Sequence, residues 1–171
     1  MTACPPALRA KLAALRAVVC DVDGTLTDGR IFMTDAGEPM RGFSTRDGLG
    51  VGLLQQANIK VAWLSATSRG QSTVARARML DIPVELIDVG LGEKGARFTA
   101  MCARLACPPQ HVAYMGDDVN DLPAMMLAGL SACPADAHPD VRDRVDLVVD
   151  APGGHGAFRI LADLMLQARP G

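Results

Sequence analysis

The stretch "AVVCDVDGTLTDG", residues 17–29, decides the fold. Four small or β-branched apolar residues read as a buried strand, and two aspartates follow it, succeeded at once by glycine and hydroxyl residues. A strand that only filled a core would not end on carboxylates, because burying them unpaired is costly. Asp21 and Asp23 stand at i and i+2, so extended geometry carried past the strand would set both on one side, with Cα atoms ~6.5–7 Å apart. At the carboxyl end of a central strand they would border the crevice where open α/β sheets bind ligands. Gly24 and Thr25 let the backbone turn closely around whatever is bound there.

Outward from this strand, short β-branched runs alternate with longer helical ones, the pattern of a mostly parallel sheet flanked by helices in an α/β sandwich. Strands are predicted at 17–20, 60–64, 84–87, 111–115, 130–133 and 146–149, and helices at roughly 47–57, 71–80, 93–105, 120–128 and 156–168. The last helix carries Phe158, Leu161, Leu164 and Met165 at helical spacing. "RIFMTDAGEPMRGF" (30–43) instead shows two short extended pieces around a turn containing Asp35, Gly37 and Pro39, a hairpin flap spanning about 29–44. "ACPADAHPDVRDRVD" (132–146) reads as a loop with a short helix, so residues 1–171 form one domain.

At 171 residues the chain can bury a core of its own. Lysine and arginine number 17 against 19 acidic residues, a net of −2, which offers no basic field for nucleic acid. The five cysteines, Cys4, Cys20, Cys102, Cys107 and Cys133, make no C-x-x-C pair and suit buried thiols in a reducing compartment. Arg9, Lys11 and Arg16 interrupt the apolar N-terminal stretch, so no leader is expected, and no run approaches the ~20 apolar residues of a membrane span. The expectation is a cytoplasmic protein without a membrane partner.

A second acidic group, "YMGDDVND" (114–121), follows another strand expected to run the same way. Asp21, Asp23, Asp117 and Asp118 brought to one edge would force some carboxyls to protonate unless a cation joined them. Oxygen-only ligands without a nearby histidine favour magnesium over zinc. Calcium in an EF-hand loop fails on spacing, since a loop starting at Asp117 would have Val119 at its third position and Leu122 at its sixth. "GLGEKGA" (90–96) lacks nucleotide-loop spacing, although Lys94 stands where it can offer one positive charge near a helix start.

"DVDGTLTDG", a serine or threonine after the second strand, Lys94 before a helix and "GDDVNDLPAM" (116–125) together resemble the haloacid dehalogenase superfamily of aspartate-nucleophile phosphatases. "RDGLGVGLLQQANIKVAWLS" (46–65), "RARMLDI" (76–82), "ADAHPDVRDRVDLVV" (135–149) and "GGHGAFR" (153–159) narrow the resemblance to the 3-deoxy-D-manno-octulosonate 8-phosphate phosphatases and the similar acylneuraminate 9-phosphate phosphatases. It covers nearly the whole chain. The resemblance implies a capless Rossmann-like fold and a homotetramer whose flap hairpins assemble centrally and help close neighbouring active sites.

The resemblance also implies residue roles. Asp21 would be the nucleophile that forms an aspartyl-phosphate, and Asp23 the general acid that later acts as base. The Asp21 carboxylate, the Asp23 carbonyl and Asp117 would hold Mg2+, with Thr25, Asp118 and Asp121 supporting them. Ser65 and Lys94 would bind the phosphoryl oxygens, and Arg46 could contact a substrate carboxylate or phosphate. The octulosonate enzymes usually read T-G-R after the second strand, whereas this chain has "LSATSRG" (64–70), so the phosphate-binding hydroxyl is Ser65 or Thr67, with Ser65 favoured because it ends the strand. His155 stands where the glycine-rich tail commonly has arginine. The implied activity is hydrolysis of an eight- or nine-carbon keto sugar acid phosphate. A non-catalytic tetramerisation domain, of the kind fused to cytidylyltransferases, is opposed by the presence of both Asp21 and Asp23 and by the lack of a partner domain.

Overall fold

The computed structural model describes residues 5–37 and 39–169. Its centre is β1 (Ala17–Cys20), whose four residues are all fully buried. Continuous burial, rather than alternation, is what a parallel strand covered on both faces requires. β4 (Lys60–Ser65) and β6 (Val112–Met115) pair with it in parallel on either side, with Cys20 opposite Trp63 and Met115. β5 (Ile87–Val89) extends the sheet beyond β4, while β7 (Leu130–Cys133) and β8 (Leu147–Val148) extend it beyond β6. The order β5-β4-β1-β6-β7-β8 reverses at β1, so the carboxyl end of this strand opens on the switch-point crevice of a doubly wound sheet.

Helices α1 (Pro6–Ala14), α2 (Thr45–Gln56), α3 (Gln71–Met79), α4 (Lys94–Leu105), α5 (Leu122–Met125), α6 (Pro139–Arg142) and α7 (Ala157–Ala168) flank the sheet. Ser44 starts α2 by accepting from the Arg46 N–H, and Glu93 starts α4 by accepting from Gly95 and Ala96 at 2.6 and 2.7 Å. β2 (Phe32–Met33) and β3 (Pro39–Met40) pair antiparallel in the expected projecting hairpin.

Several expectations need correction. The ladder does not reach Asp23: the Thr25, Leu26 and Thr27 N–H groups all donate to the Val22 carbonyl, folding the segment after Asp21 into a tight turn. The strand expected at 84–87 begins only at Ile87, after a 3-10 turn over Val84–Leu86 that follows Pro83. Asp88 masks its continuation in sequence, but arginines from α4 neutralise it: Arg97 at 3.1 Å and Arg104 at 3.4 Å. The helix expected over 120–128 is a 3-10 turn, Val119–Asp121, followed by the short α5. α1 was not anticipated as a helix; Pro6 occupies its first turn, where a missing N–H costs nothing. Cys20, Cys102, Cys107 and Cys133 are buried free thiols, whereas Cys4 lies outside the described residues. No helix among the described residues is long and apolar enough to cross a membrane.

Candidate active site

β1 and β6 are neighbours in register, so the segments that leave them emerge side by side. The Asp21 N–H donates to the Met115 carbonyl at 2.8 Å, carrying the ladder one residue beyond the strand and fixing Asp21 at the sheet edge. From the β6 side, Asp117 approaches so closely that a Cβ at Gly24 would overlap its carboxylate, and Gly24 itself has φ +92°. Thr25 Oγ1 donates to Asp117 Oδ1 at 2.7 Å and holds it in that position.

Lys94 enters from the first turn of α4. Its ammonium donates to Asp21 Oδ1 at 2.7 Å and to Asp121 Oδ1 at 2.6 Å, and all three side chains are buried. Phe98, one turn further along α4, meets the Tyr114 ring edge-on at a centroid distance of 5.6 Å. Tyr114 in turn donates its hydroxyl to Asp121 Oδ1 at 2.6 Å, while Asp121 Oδ2 accepts from the Asp117 and Asp118 N–H groups at 3.1 and 3.2 Å. Four donors thus occupy Asp121, about the full capacity of a carboxylate. One face of α4 therefore sets both a charged group and the support of its partner.

Carboxylate oxygens of Asp21, Asp117 and Asp121 lie within 4.8 Å of one another. Asp121 is saturated by its donors, so Asp21 and Asp117 are the two of the three with oxygens that could hold an ion, and Asp121 sits beside them. Hard oxygen donors without histidine or cysteine fit magnesium. The charge balance supports the same fit: among the described residues, the cations paired with Asp21, Asp23, Asp117 and Asp121 are Lys94 and Arg41, leaving about the charge of one divalent cation uncompensated. Burial, reinforced by Asp121, pushes the Asp21 carboxyl well above its ordinary range despite Lys94. Burial also lifts Asp117, to about 6. For Lys94 burial is the largest influence and acts downward, but Asp21 and Asp121 outweigh it and keep the ammonium above its ordinary range.

The other anticipated residues separate into two groups. Ser65, fully buried at the end of β4, donates to Asp23 Oδ2 at 3.3 Å, and Arg97 holds the Ser65 carbonyl at 3.0 Å. Thr67 accepts from the Arg69 N–H at 3.2 Å in the loop that follows β4. Asp118 is exposed and caps the 3-10 turn through Val119, so its carboxylate does not join the cluster. Arg46 is exposed and lines a cavity of about 580 Å³ with Phe32, Phe43 and His155. The glycine-rich tail closes one wall of the site: the Gly154 N–H donates to the Thr25 carbonyl at 3.0 Å, and a Cβ at Gly153 would overlap the Gly24 carbonyl.

Two contributors escaped the sequence reading. Tyr114 looked like one more apolar strand residue. Arg41, from the hairpin, binds Asp23 through Nε and Nη2, and its only sequence signal was a basic residue at the end of an apolar arm.

Comparison with known proteins agrees with this geometry. The haloacid dehalogenase-like hydrolase family matches residues 84–161. A 3-deoxy-D-manno-octulosonate 8-phosphate phosphatase of Haemophilus influenzae is 38% identical over 162 residues, spanning 95% of this chain and 88% of that protein. The chain belongs to the 3-deoxy-D-manno-octulosonate 8-phosphate phosphatase family of haloacid dehalogenase-like hydrolases. The crystal structure of the Yersinia pestis family member matches with a TM-score of 0.90 at 37% identity, covering 94% of this chain and 85% of that one. The Moraxella catarrhalis member, solved in complex with a magnesium ion, a phosphate ion and a KDO molecule, matches with a TM-score of 0.88 at 30% identity, covering 94% and 90%. Family membership accounts for the sheet order and the hairpin in place of a large cap.

Proposed function

We propose that the chain is a magnesium-dependent phosphomonoesterase that hydrolyses 3-deoxy-D-manno-octulosonate 8-phosphate to the free sugar acid and inorganic phosphate. The observation that carries this reading is the buried Asp21 carboxylate, paired with Lys94 at the carboxyl end of the central strand and faced by Asp117. The relatives' shared activity, at 36–38% identity over most of the chain, supplies the substrate.

An Asp21 oxygen attacks phosphorus, the bond from phosphorus to the sugar oxygen breaks, and Asp23 gives its proton to the departing alkoxide. Asp23 then takes a proton from water, whose oxygen attacks the aspartyl-phosphate, breaking the Asp21–phosphorus bond and releasing phosphate. Lys94 holds Asp21 in line and offsets the charge gathering at phosphorus, and Ser65 offers a hydroxyl to the phosphoryl oxygens. A magnesium ion held by Asp21, the Asp23 carbonyl and Asp117 would offset the repulsion between the two anions. The whole chain would act as one domain in the cytoplasm, with flap 29–44 in place of a cap. Its exposed apolar residues Ile31, Phe32, Met33 and Met40 support a homotetramer in which flaps meet and shared active sites close.

The test is phosphate release from octulosonate 8-phosphate, acylneuraminate 9-phosphates and hexose phosphates, each with magnesium and with chelator. Rapid magnesium-dependent turnover of the octulosonate ester is expected. Preference for an acylneuraminate ester would move the substrate to the nine-carbon acids, equal feeble turnover of every ester would overturn the sugar-acid reading, and retained activity in Asp21→Asn would overturn the mechanism.

A further inference from the structure

Arg41 leaves the hairpin immediately after β3 and turns back into its own chain, where its side chain is only 1% exposed. The guanidinium meets Asp23 through two nitrogens, Nε toward Oδ1 and Nη2 toward Oδ2 at 3.4 Å. Its third nitrogen, Nη1, donates to Ser72 Oγ in the first turn of α3 at 3.1 Å and to the Arg69 carbonyl in the preceding loop at 3.3 Å. Four of its five N–H donors are therefore occupied by protein. An arginine meant to grip a substrate phosphate or carboxylate would present its fork to the cavity. This one presents its fork to a carboxylate of the protein.

Asp23 needs such a partner. It sits beyond the strand, in the turn closed on the Val22 carbonyl, and its side chain is 31% exposed. Ser65 at 3.3 Å contacts only Oδ2, which leaves rotation about the side-chain bonds unchecked. A planar, two-point contact removes that freedom, and proton transfer to a departing oxygen depends steeply on placement. Arg69 makes a second, separate tether between the same elements: its Nη1 donates to the Gly37 carbonyl at 3.0 Å without touching Asp23.

We propose that Arg41 is a positioning residue, delivered by the flap, that orients the Asp23 carboxylate toward the leaving oxygen and so couples flap docking to proton transfer. The inference rests on the role of Asp23 in the proposed phosphatase. It separates two functions of the flap, closing the pocket and setting the acid.

The leaving group provides the test. An alkoxide cannot depart without a proton, whereas 4-nitrophenolate departs unaided, so an oriented Asp23 is needed to form the aspartyl-phosphate from the sugar ester but not from the aryl ester, while both esters need it to hydrolyse that shared intermediate. Arg41→Met, Arg41→Lys and Arg69→Ala are compared with the parent chain on octulosonate 8-phosphate and on 4-nitrophenyl phosphate, with melting temperature as the check on folding. Arg41→Met is expected to lower the first-turnover release of sugar acid by about 30- to 100-fold, with KM and the first-turnover release of 4-nitrophenolate within about threefold of the parent. Arg41→Lys should recover part of that rate, and Arg69→Ala should affect both esters alike. A rise in KM at unchanged kcat would make Arg41 a substrate anchor and overturn the proposal. Equal first-turnover losses on both esters, no loss on either, or the same selective loss in Arg69→Ala would overturn it too. If the parent chain hydrolyses 4-nitrophenyl phosphate but not the octulosonate ester, the substrate reading fails. The contrast is then measured with a hexose 6-phosphate as the alkyl ester, and the Arg41 inference is judged by the same outcomes.

Discussion

Lys94 is the residue on which the site balances, because a buried ammonium spans two buried carboxylates. Replacing it with methionine removes the shared cation and leaves Asp21 and Asp121 facing each other. Lys94→Met should cost about 3–5 kcal/mol in urea unfolding measured with chelator, and it should abolish turnover. Gly24 tests placement without altering charge. Gly24→Ala forces a side chain into positive φ and into the Asp117 carboxylate. About 1–3 kcal/mol of stability should be lost, and kcat should fall at least about tenfold as Asp117 shifts. A variant with full activity and parental magnesium affinity would show that Asp117 does not need this close approach.

Among the elements, α4 does the most for the site. Glu93 caps it, Lys94 and Phe98 lie on one face, and Arg97 ties the ends of β4 and β5 through the Ser65 and Gly90 carbonyls. The far side of the sheet is held by a different device. Asp146, just before β8, accepts from Lys11 of α1 at 2.6 Å and from the Ser131 N–H of β7 at 3.0 Å. Burial alone would raise its carboxyl, but Lys11 and Ser131 together hold it below the ordinary 3.8. Because the folded value is depressed, the contact stabilises the protein above the unfolded value, and the contribution is lost as pH falls through the folded one. Asp146→Asn should therefore cost about 1 kcal/mol at pH 7, with the deficit shrinking below pH 3.8, as followed by denaturant titrations across pH. A deficit that stayed constant into acid would assign the loss to packing.

For the whole molecule, the hairpin is the feature that a lone chain leaves unexplained. Ile31, Phe32, Met33 and Met40 are each 51–58% exposed on two short strands, too few residues to be stable for their own sake. Phe32→Glu places a charge on that surface. If flaps meet in a tetramer, sedimentation should report smaller species and sugar-ester turnover should fall at least about tenfold, while the melting temperature at the protomer level changes little. An unchanged sedimentation profile would show that the hairpin does not join subunits.

Periodicity made the main strands legible, since apolar segments buried on both faces leave an unbroken signature, and the paired carboxylates marked the edge where chemistry belongs. Lys94, Ser65 and Asp117 were nominated by the resemblance to the haloacid dehalogenase superfamily, which the order of these motifs along the chain carries. What failed was local wherever tertiary contacts overrode a short pattern: Asp88 hid β5 because its arginines come from α4, and Asp118 looked equivalent to Asp121 until the 3-10 turn aimed one outward and the other into the core. Sequence alone determined the sheet, its central strand and the kind of chemistry, because these depend on residue type at fixed spacing. Tertiary structure alone decided that Arg41 holds Asp23 and that Tyr114 supports Asp121. These are meetings between side chains from separate elements, and no spacing along the chain encodes where they point.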